Sequence, residues 1–124
     1  MINILPVNDR TAVEDIFINY GFDFDERSGC VVADNKGDIL GKCLYYIDNN
    51  SITIAHIEPT DDVMMADGIL RCALHVADFR NISDAFYFDS VPIEVLKKLD
   101  FVKNEADKSL KIEKLHQSSC NCEK

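Results

Sequence analysis

Tryptophan is absent from this 124-residue chain, and proline and glycine are scarce, with three and five residues respectively. This scarcity excludes a Pro/Gly-rich linker, and the chain shows no internal repeat or low-complexity block. No apolar run approaches the roughly 20 residues that a membrane-spanning helix needs. The first residues also lack a basic region ahead of a long apolar stretch, so we expect no signal peptide, no membrane partner and a cytoplasmic protein.

Basic residues are in the minority, with 13 Lys and Arg against 22 Asp and Glu, and the net charge is −9. Because proteins hold backbone phosphates with Lys and Arg, we expect no nucleic-acid partner. Hydrophobic residues make up 47% and charged residues 28%, which indicates a globular chain. The length allows one domain, which we place at residues 1–115, followed by a polar tail over residues 116–124.

The five cysteines do not indicate a disulfide framework, because their number is odd and three of them lie in apolar stretches as small core residues. These three are Cys30, Cys43 and Cys72. Cys120 and Cys122 are different, since two thiolates near His116 can ligate Zn²⁺ or Cu⁺. A closed zinc site normally has four ligands, so three hypotheses stay open: a disordered tail, which we favour, metal capture that a homodimer could complete, and a reactive dithiol.

Apolar periodicity predicts three helices. Residues 10–20 form an amphipathic helix, with Asp9 as the N-cap and Gly21 as the residue that ends it. A longer helix begins at residue 61 or 62 and runs to about residue 79. A short helix follows over residues 92–99.

Alternating apolar residues and turn chemistry predict five strands. Gly41 interrupts the second strand and is expected at a bulge or at a point of close approach. The first three strands form an antiparallel meander, and the predicted ranges are 30–33, 39–47, 51–58, 85–88 and 109–115. This mixed order indicates an α/β (α+β) domain around one sheet.

Several landmarks along the chain occur together and in order. A strand runs into Glu58-Pro59, a turn leads to a helix that opens with ADGILRCAL over residues 66–74, and a short strand precedes VLKKLDF over residues 95–101. Over residues 28–115 this order resembles the GNAT superfamily of acetyl-CoA-dependent N-acetyltransferases. The resemblance implies a GNAT-like single domain with a mixed, mostly antiparallel central sheet flanked by helices, and acetyl-CoA as the cofactor.

The resemblance also implies where the cofactor binds. Members of the family hold its pyrophosphate on a Gln/Arg-x-x-Gly-x-Gly/Ala loop at the start of the long helix, where free N–H groups face the anion. The matching loop here reads DDVMMA over residues 61–66, so acidic residues replace the basic or amide residue, and they would cap the helix and repel a pyrophosphate. The cofactor-binding residues implied are Ile57, Val63, Met64, Met65, Ala66 and Asp67.

A second departure concerns the acid that many members use to protonate the departing thiolate. This acid is a tyrosine five residues before the family's phenylalanine, and Leu96 stands at that position. Asp100 replaces the glycine that normally precedes the phenylalanine, and Asp89 replaces an asparagine that often opens the segment. The fold is therefore expected to be preserved better than the site.

His56 and Glu58 lie two residues apart on one predicted strand, so their side chains point to the same face. In the enzymes that the chain resembles, a general base for the amine often lies on or near this strand. We therefore predict Glu58 as the base, with His56 as a helper or alternative. The structural alternative is a partly buried, hydrogen-bonded histidine beside a charge at the end of a strand.

Three further features have ordinary structural explanations. Met64 and Met65 are expected to pack against the sheet, although they could shape a pocket. Asp67 and Arg71 have the spacing of an ion pair on a helix surface. Six lysines between residues 97 and 114 are interleaved with acidic residues, which favours a solvated mixed-charge surface over phosphate contacts.

Two functions from different classes follow. The first is transfer of an acetyl group from acetyl-CoA to an amine, either a small molecule or a lysine side chain, which the acidic surface would suit. The second is a catalytically degenerate module that binds a ligand or a protein. A thiol or metal role for the Cys-x-Cys tail remains a third hypothesis.

Overall fold

In a computed structural model, which describes residues 2–116, a seven-stranded sheet carries helices on both faces. In chain order the elements are β1 (Asn3–Pro6), α1 (Arg10–Asn19), β2 (Ser28–Asn35), β3 (Asp38–Ile47), β4 (Ser51–Glu58), α2 (Val63–Phe79), β5 (Asp84–Tyr87), α3 (Ile93–Lys98), β6 (Val102–Asn104), β7 (Ser109–Leu110) and a 3₁₀ helix, Ile112–His116. The strand order is β1-β2-β3-β4-β5-β7-β6, and every neighbouring pair is antiparallel except β4–β5. The prediction of a mixed, mostly antiparallel sheet flanked by helices is confirmed.

Helix α1 covers one face of β2 and β3. The Asp9 side chain accepts hydrogen bonds from the first turn, as predicted, and Gly21 follows the helix with a φ of +78° in the left-handed region. Val13 and Phe17 are completely buried against that face of the sheet. Local capping signals and one apolar stripe therefore determine this helix.

Helix α2 covers the opposite face and contributes most of the main core. Its buried stripe packs on residues from β2 to β5, and α3 and the 3₁₀ helix complete the same cluster. The buried residues of α2 are Ala66, Ile69, Leu70, Ala73, Leu74 and Ala77. None of the described helices is long and apolar enough to cross a membrane.

The structure corrects the predicted ends of the chain. β1 and β6 were not predicted, because these short segments gain their strand conformation by pairing with β2 and β7. The strand predicted over residues 109–115 is confirmed only at its start, since β7 ends at Leu110. Ile112 and Leu115 are buried three residues apart on the 3₁₀ helix instead, a spacing that matches one turn of such a helix.

Gly41 is a point of close approach, as predicted. A Cβ atom at this position would lie 2.6 Å from the carbonyl oxygen of Glu58 and 2.7 Å from Cδ1 of Ile69. Backbone on one side and a buried side chain on the other leave the added methyl group no space. The glycine therefore allows β3 to pass close to the end of β4.

We expect Gly41→Ala to lower the free energy of unfolding by about 1–3 kcal/mol, because the overpacked methyl group meets backbone. Gly68→Ala is the matched control: its added Cβ meets only the Cδ1 end of Ile4, at 2.8 Å, and alanine favours the helix. Urea denaturation of both variants checks the prediction. Equal stability of the two variants would contradict the close approach at Gly41.

Candidate active site

Four polar side chains meet where β4 ends. Glu58 lies directly opposite Lys42 in the β3–β4 register, His56 lies two residues earlier on β4, and Tyr20 lies immediately after α1. We call these four residues the polar cluster. The strand predicted over residues 51–58 is confirmed, and it places His56 and Glu58 next to each other as expected.

A bulge in β4 determines the direction of His56. His56 pairs with Leu44 and Ile54 pairs with Tyr45, its neighbour on β3. Ala55 is therefore an extra residue on β4 and forms the bulge. Ile54 packs on the α2 side and Ala55 on the α1 side. The His56 ring lies on the α1 side too, 4.7 Å from the Tyr20 ring between centroids.

One carboxylate oxygen holds the cluster together. The Tyr20 hydroxyl donates to Oε1 of Glu58 over 2.8 Å, and Nε2 of His56 lies 2.8 Å from the same oxygen. The side chains of His56 and Glu58 are 26% and 37% exposed, so both remain accessible to a ligand. The Nζ atom of Lys42 lies over the Tyr20 ring, 5.1 Å from its centroid.

The hydrogen bonds keep the Glu58 carboxyl ionised. Partial burial raises its pKa, but the bonds from His56 and Tyr20 and the charge of Lys42 outweigh burial, and the net pKa is lowered. An ionised carboxylate only accepts hydrogen bonds, so Nε2 of His56 must carry the hydrogen that it shares with Glu58. The other ring nitrogen, Nδ1, then holds the lone pair of the neutral imidazole.

We expect Tyr20→Phe to raise the pKa of Glu58, because the variant loses one of the two side-chain bonds to its carboxylate. A lowered folded pKa contributes stability at neutral pH that is lost as the pH falls through that pKa, so the variant should lose less stability on acidification. A carboxyl NMR titration checks the shift. Tyr46→Phe, whose hydroxyl donates to the Asp23 carbonyl, is the control, and an equal pKa in Tyr20→Phe and wild type would contradict the assignment.

A carboxylate of the chain itself caps the N-terminus of α2. The Asp62 side chain caps the helix and accepts a hydrogen bond from the Met65 backbone over 3.1 Å. Met65 packs partly against the core, but Met64 is 86% exposed, so the expectation that Met64 packs against the sheet is wrong. Met64 lies in the first turn, away from the stripe that begins with the buried Ala66.

Two further residues of the implied cofactor site have structural partners. Ile57 is 1% exposed and belongs to the core on the α2 side, so only its backbone could contact a ligand. Asp67 forms the predicted helix-surface pair with Arg71 over 2.9 Å. Val63, at 42% exposure, is the first residue of α2.

Strands β4 and β5 separate beside the polar cluster. Their parallel ladder ends at the Ile54–Tyr87 pair, so among residues 2–116 no strand lies on the β5 side of residues 55–58. The backbone N–H of Phe88 still donates to the Ile54 carbonyl over 2.9 Å, and the Ser90 hydroxyl donates to the Ala55 carbonyl over 2.6 Å. Beyond that point the strand presents an edge along which an extended ligand with amide groups could lie.

The two parts of a coenzyme A molecule would therefore meet different surroundings here. The edge of β4 fits an amide-containing arm, whereas the Asp62 carboxylate occupies the helix N–H group that a pyrophosphate would use. Leu96 is completely buried, and because its side chain has no proton to donate, that position supplies no donor for a departing thiolate. Asp100 has a φ of +61°, in the region that favours the glycine it replaces.

The sequence did not identify Tyr20, Lys42 or Ser90 as site residues. Tyr20 fits the apolar stripe of α1, and only the packing of that helix brings its hydroxyl to Glu58. Counting the register back from the β3–β4 turn would have placed Lys42 opposite Ile57, and only the bulge at Ala55 brings it opposite Glu58. For Ser90 the sequence contains no signal that we recognise.

The remaining expectations concern metal and charge. Residues 2–116 contain no group of three or more His, Cys, Asp or Glu that could hold a metal ion, and the tail cysteines Cys120 and Cys122 lie outside the described residues. Four of the six lysines between residues 97 and 114 form ion pairs on a mixed-charge surface, as favoured above. These pairs are Lys97–Glu105, Lys108–Asp89, Lys111–Asp100 and Lys114–Asp100.

Comparison with known proteins identifies similar folds. No family model matches the chain, and no curated protein matches its sequence. The solved structure of ribosomal-protein-alanine N-acetyltransferase from Brucella melitensis biovar Abortus is similar over 86% of this chain and 93% of that chain, with 16% identity and a TM-score of 0.60. YhhK from E. coli, a candidate N-acetyltransferase solved bound to coenzyme A, is similar over 85% and 94%, with 14% identity and a TM-score of 0.52.

A third structure, nourseothricin acetyltransferase, is 21% identical over 53% of this chain and 42% of that chain. Its TM-score of 0.44 is too low to show a shared fold. The first two structures match nearly the whole described domain at low identity, so they show the architecture and leave the substrate open. The chain therefore has the fold of GNAT-type N-acetyltransferases.

Proposed function

We propose that this protein is an N-acetyltransferase that transfers an acetyl group from acetyl-CoA to an amine. The observation that carries the proposal is the His56–Glu58–Tyr20 arrangement beside the open edge of β4. A fold shared with a structure bound to coenzyme A supports it. The acceptor is a small-molecule amine or a lysine side chain, which the net charge of −9 would attract.

The chain's own residues act on the proton of the amine. Glu58 remains ionised and holds the His56 ring through Nε2, so Nδ1 of His56 accepts the proton and Glu58 stabilises the imidazolium that forms. Tyr20 orients the carboxylate through its hydroxyl. His56 thus takes the immediate role of base that the sequence favoured for Glu58.

Bound acetyl-CoA would supply a thioester, whose acetyl–sulfur bond breaks as the amine nitrogen bonds to the acetyl carbon. The backbone of residues 55–58 would hold its amide-containing arm, and the backbone of residues 63–67 would face its pyrophosphate. Asp61 and Asp62 weaken that contact, so we expect low affinity for the cofactor. Leu96 has no proton to donate, so that position would not supply one to a leaving thiolate.

A direct assay tests the proposed function. The protein is incubated with acetyl-CoA and a panel of amines, and free thiol and acetylated amine are measured together. We expect both products in equal amounts. Thiol release equal to that of a protein-free blank with every amine, at millimolar acetyl-CoA, would overturn the proposal.

A second function, a binding module without catalysis, is favoured by two observations. The Asp62–Met65 hydrogen bond occupies the start of α2, and the buried Leu96 replaces a proton donor. Such a module would unfold at the same temperature with and without acetyl-CoA. Thermal protection by acetyl-CoA would favour the enzyme instead.

A further inference from the structure

A pocket of about 390 Å³ lies on the α1 side of the sheet, next to the polar cluster. The segment after α1 forms one wall, and β3, β4 and the end of β5 form the others. Its lining includes Phe22, Asp23, Asp25, Arg27, Tyr46 and Phe88. This volume is in the lower part of the range for small-molecule sites, and its walls are aromatic and acidic.

One wall of the pocket already carries an organic cation of the chain. The guanidinium of Arg27 lies over the Tyr46 ring, 5.2 Å from its centroid, and pairs with Asp25 over 2.8 Å. The Asp25 carboxylate thus balances the charge of Arg27, and the exposed Asp23 gives the pocket a net negative charge. These surroundings suit a second cation with an aliphatic chain that packs on Phe88, which is 41% exposed.

Phe22 connects the pocket to the proposed base. Its ring lines the pocket and lies 6.4 Å from the His56 ring between centroids. A ligand held by Asp23 and extended across Phe22 would therefore present its far end to His56. Such a ligand needs a cationic group to be held and a separate amine to react.

We infer that the pocket binds one end of an alkyl diamine, either a free diamine or a lysine residue with a free α-amino group. One ammonium group pairs with the Asp23 carboxylate, the methylene chain packs on Phe22 and Phe88, and the second amine reaches His56. The role of that second amine as acetyl acceptor rests on the proposed function. Binding of the first ammonium group does not depend on the proposed function.

Binding is measured first, without acetyl-CoA, by NMR titration of the protein with 1,4-diaminobutane, with butylamine and with lysine amide. We expect both diamines to bind more tightly than butylamine. Asp23→Asn should weaken diamine binding by roughly five-fold, the size expected for an exposed ion pair. Glu26→Gln, an exposed carboxylate on the same segment outside the pocket lining, is the matched control and should leave binding unchanged.

The outcomes separate the two proposals. Equal loss of binding in Asp23→Asn and Glu26→Gln, or equal affinity for butylamine and 1,4-diaminobutane, would overturn the diamine pocket even if other amines are acetylated. Diamine binding that depends on Asp23, without any acetylation, would leave the pocket and overturn the proposed function. Tighter binding of lysine amide than of 1,4-diaminobutane would identify a lysine residue as the ligand. The reverse order of affinities would identify a free diamine.

Discussion

Replacement of His56 by glutamine is expected to lower the rate of acetyl transfer by about 10²–10⁴-fold, the usual contribution of a positioned general base. Glutamine keeps a polar side chain at the partly exposed position but cannot accept a proton near neutral pH. Free thiol and acetylated amine, measured together for the variant and the wild type, check the prediction.

His75→Gln is the matched control, since His75 is an exposed residue on α2 on the other face of the sheet. Its rate should equal that of the wild type. Glu58→Gln should also reduce the rate, because the ring keeps a hydrogen-bond partner but loses the charge that stabilises imidazolium. A rate in His56→Gln equal to that of the wild type would show that another group takes the proton.

The second large effect concerns the start of α2. We expect the double variant Asp61→Asn, Asp62→Asn to bind acetyl-CoA more tightly by on the order of 100-fold at low salt. One carboxylate about 5 Å from a phosphate charge costs on the order of 3 kcal/mol at an effective dielectric of about 20, before salt screening. Asparagine is as good an N-cap as aspartate, so the helix keeps its first turn.

The control for this variant changes the net charge by the same amount elsewhere. Glu14 and Asp15 form a similar adjacent pair of exposed carboxylates, but they lie on α1, across the sheet from α2. The double variant Glu14→Gln, Asp15→Asn should bind acetyl-CoA as the wild type does. If both double variants gain affinity equally, the overall charge of the protein is responsible and the helix start is not.

Much of the fold could be predicted because its signals are local. Asp9 and Asp62 cap helices whose apolar stripes are regular, and the glycine at position 41 marks a real contact between strands. β1 could not be predicted, because four residues gain their strand conformation by pairing with β2. Similarly, the chain after Leu110 forms a 3₁₀ helix because its apolar residues pack into the core on the α2 side. The apolar–polar alternation of the sequence does not determine its conformation.

The site was predictable only in part. The spacing of His56 and Glu58 was enough to place them on one strand, but the bulge at Ala55, which directs the His56 ring to Tyr20, has no local sequence signal. The contact of Tyr20 with Glu58 joins residues 38 positions apart and depends on how α1 packs across the sheet. Contacts of this kind follow from tertiary packing, which periodicity cannot reveal.

The measurement that tests the account most directly is a calorimetric titration with acetyl-CoA at low and moderate salt, with desulfo-CoA for comparison. The account predicts weak binding by the wild type that strengthens as salt screens Asp61 and Asp62, and tighter binding by their double asparagine variant at low salt. Acetyl-CoA and desulfo-CoA should differ little, because the residues proposed to hold the cofactor contact its arm and pyrophosphate. Absence of binding heat at millimolar cofactor, in the wild type and in the asparagine variant alike, would contradict the proposed N-acetyltransferase.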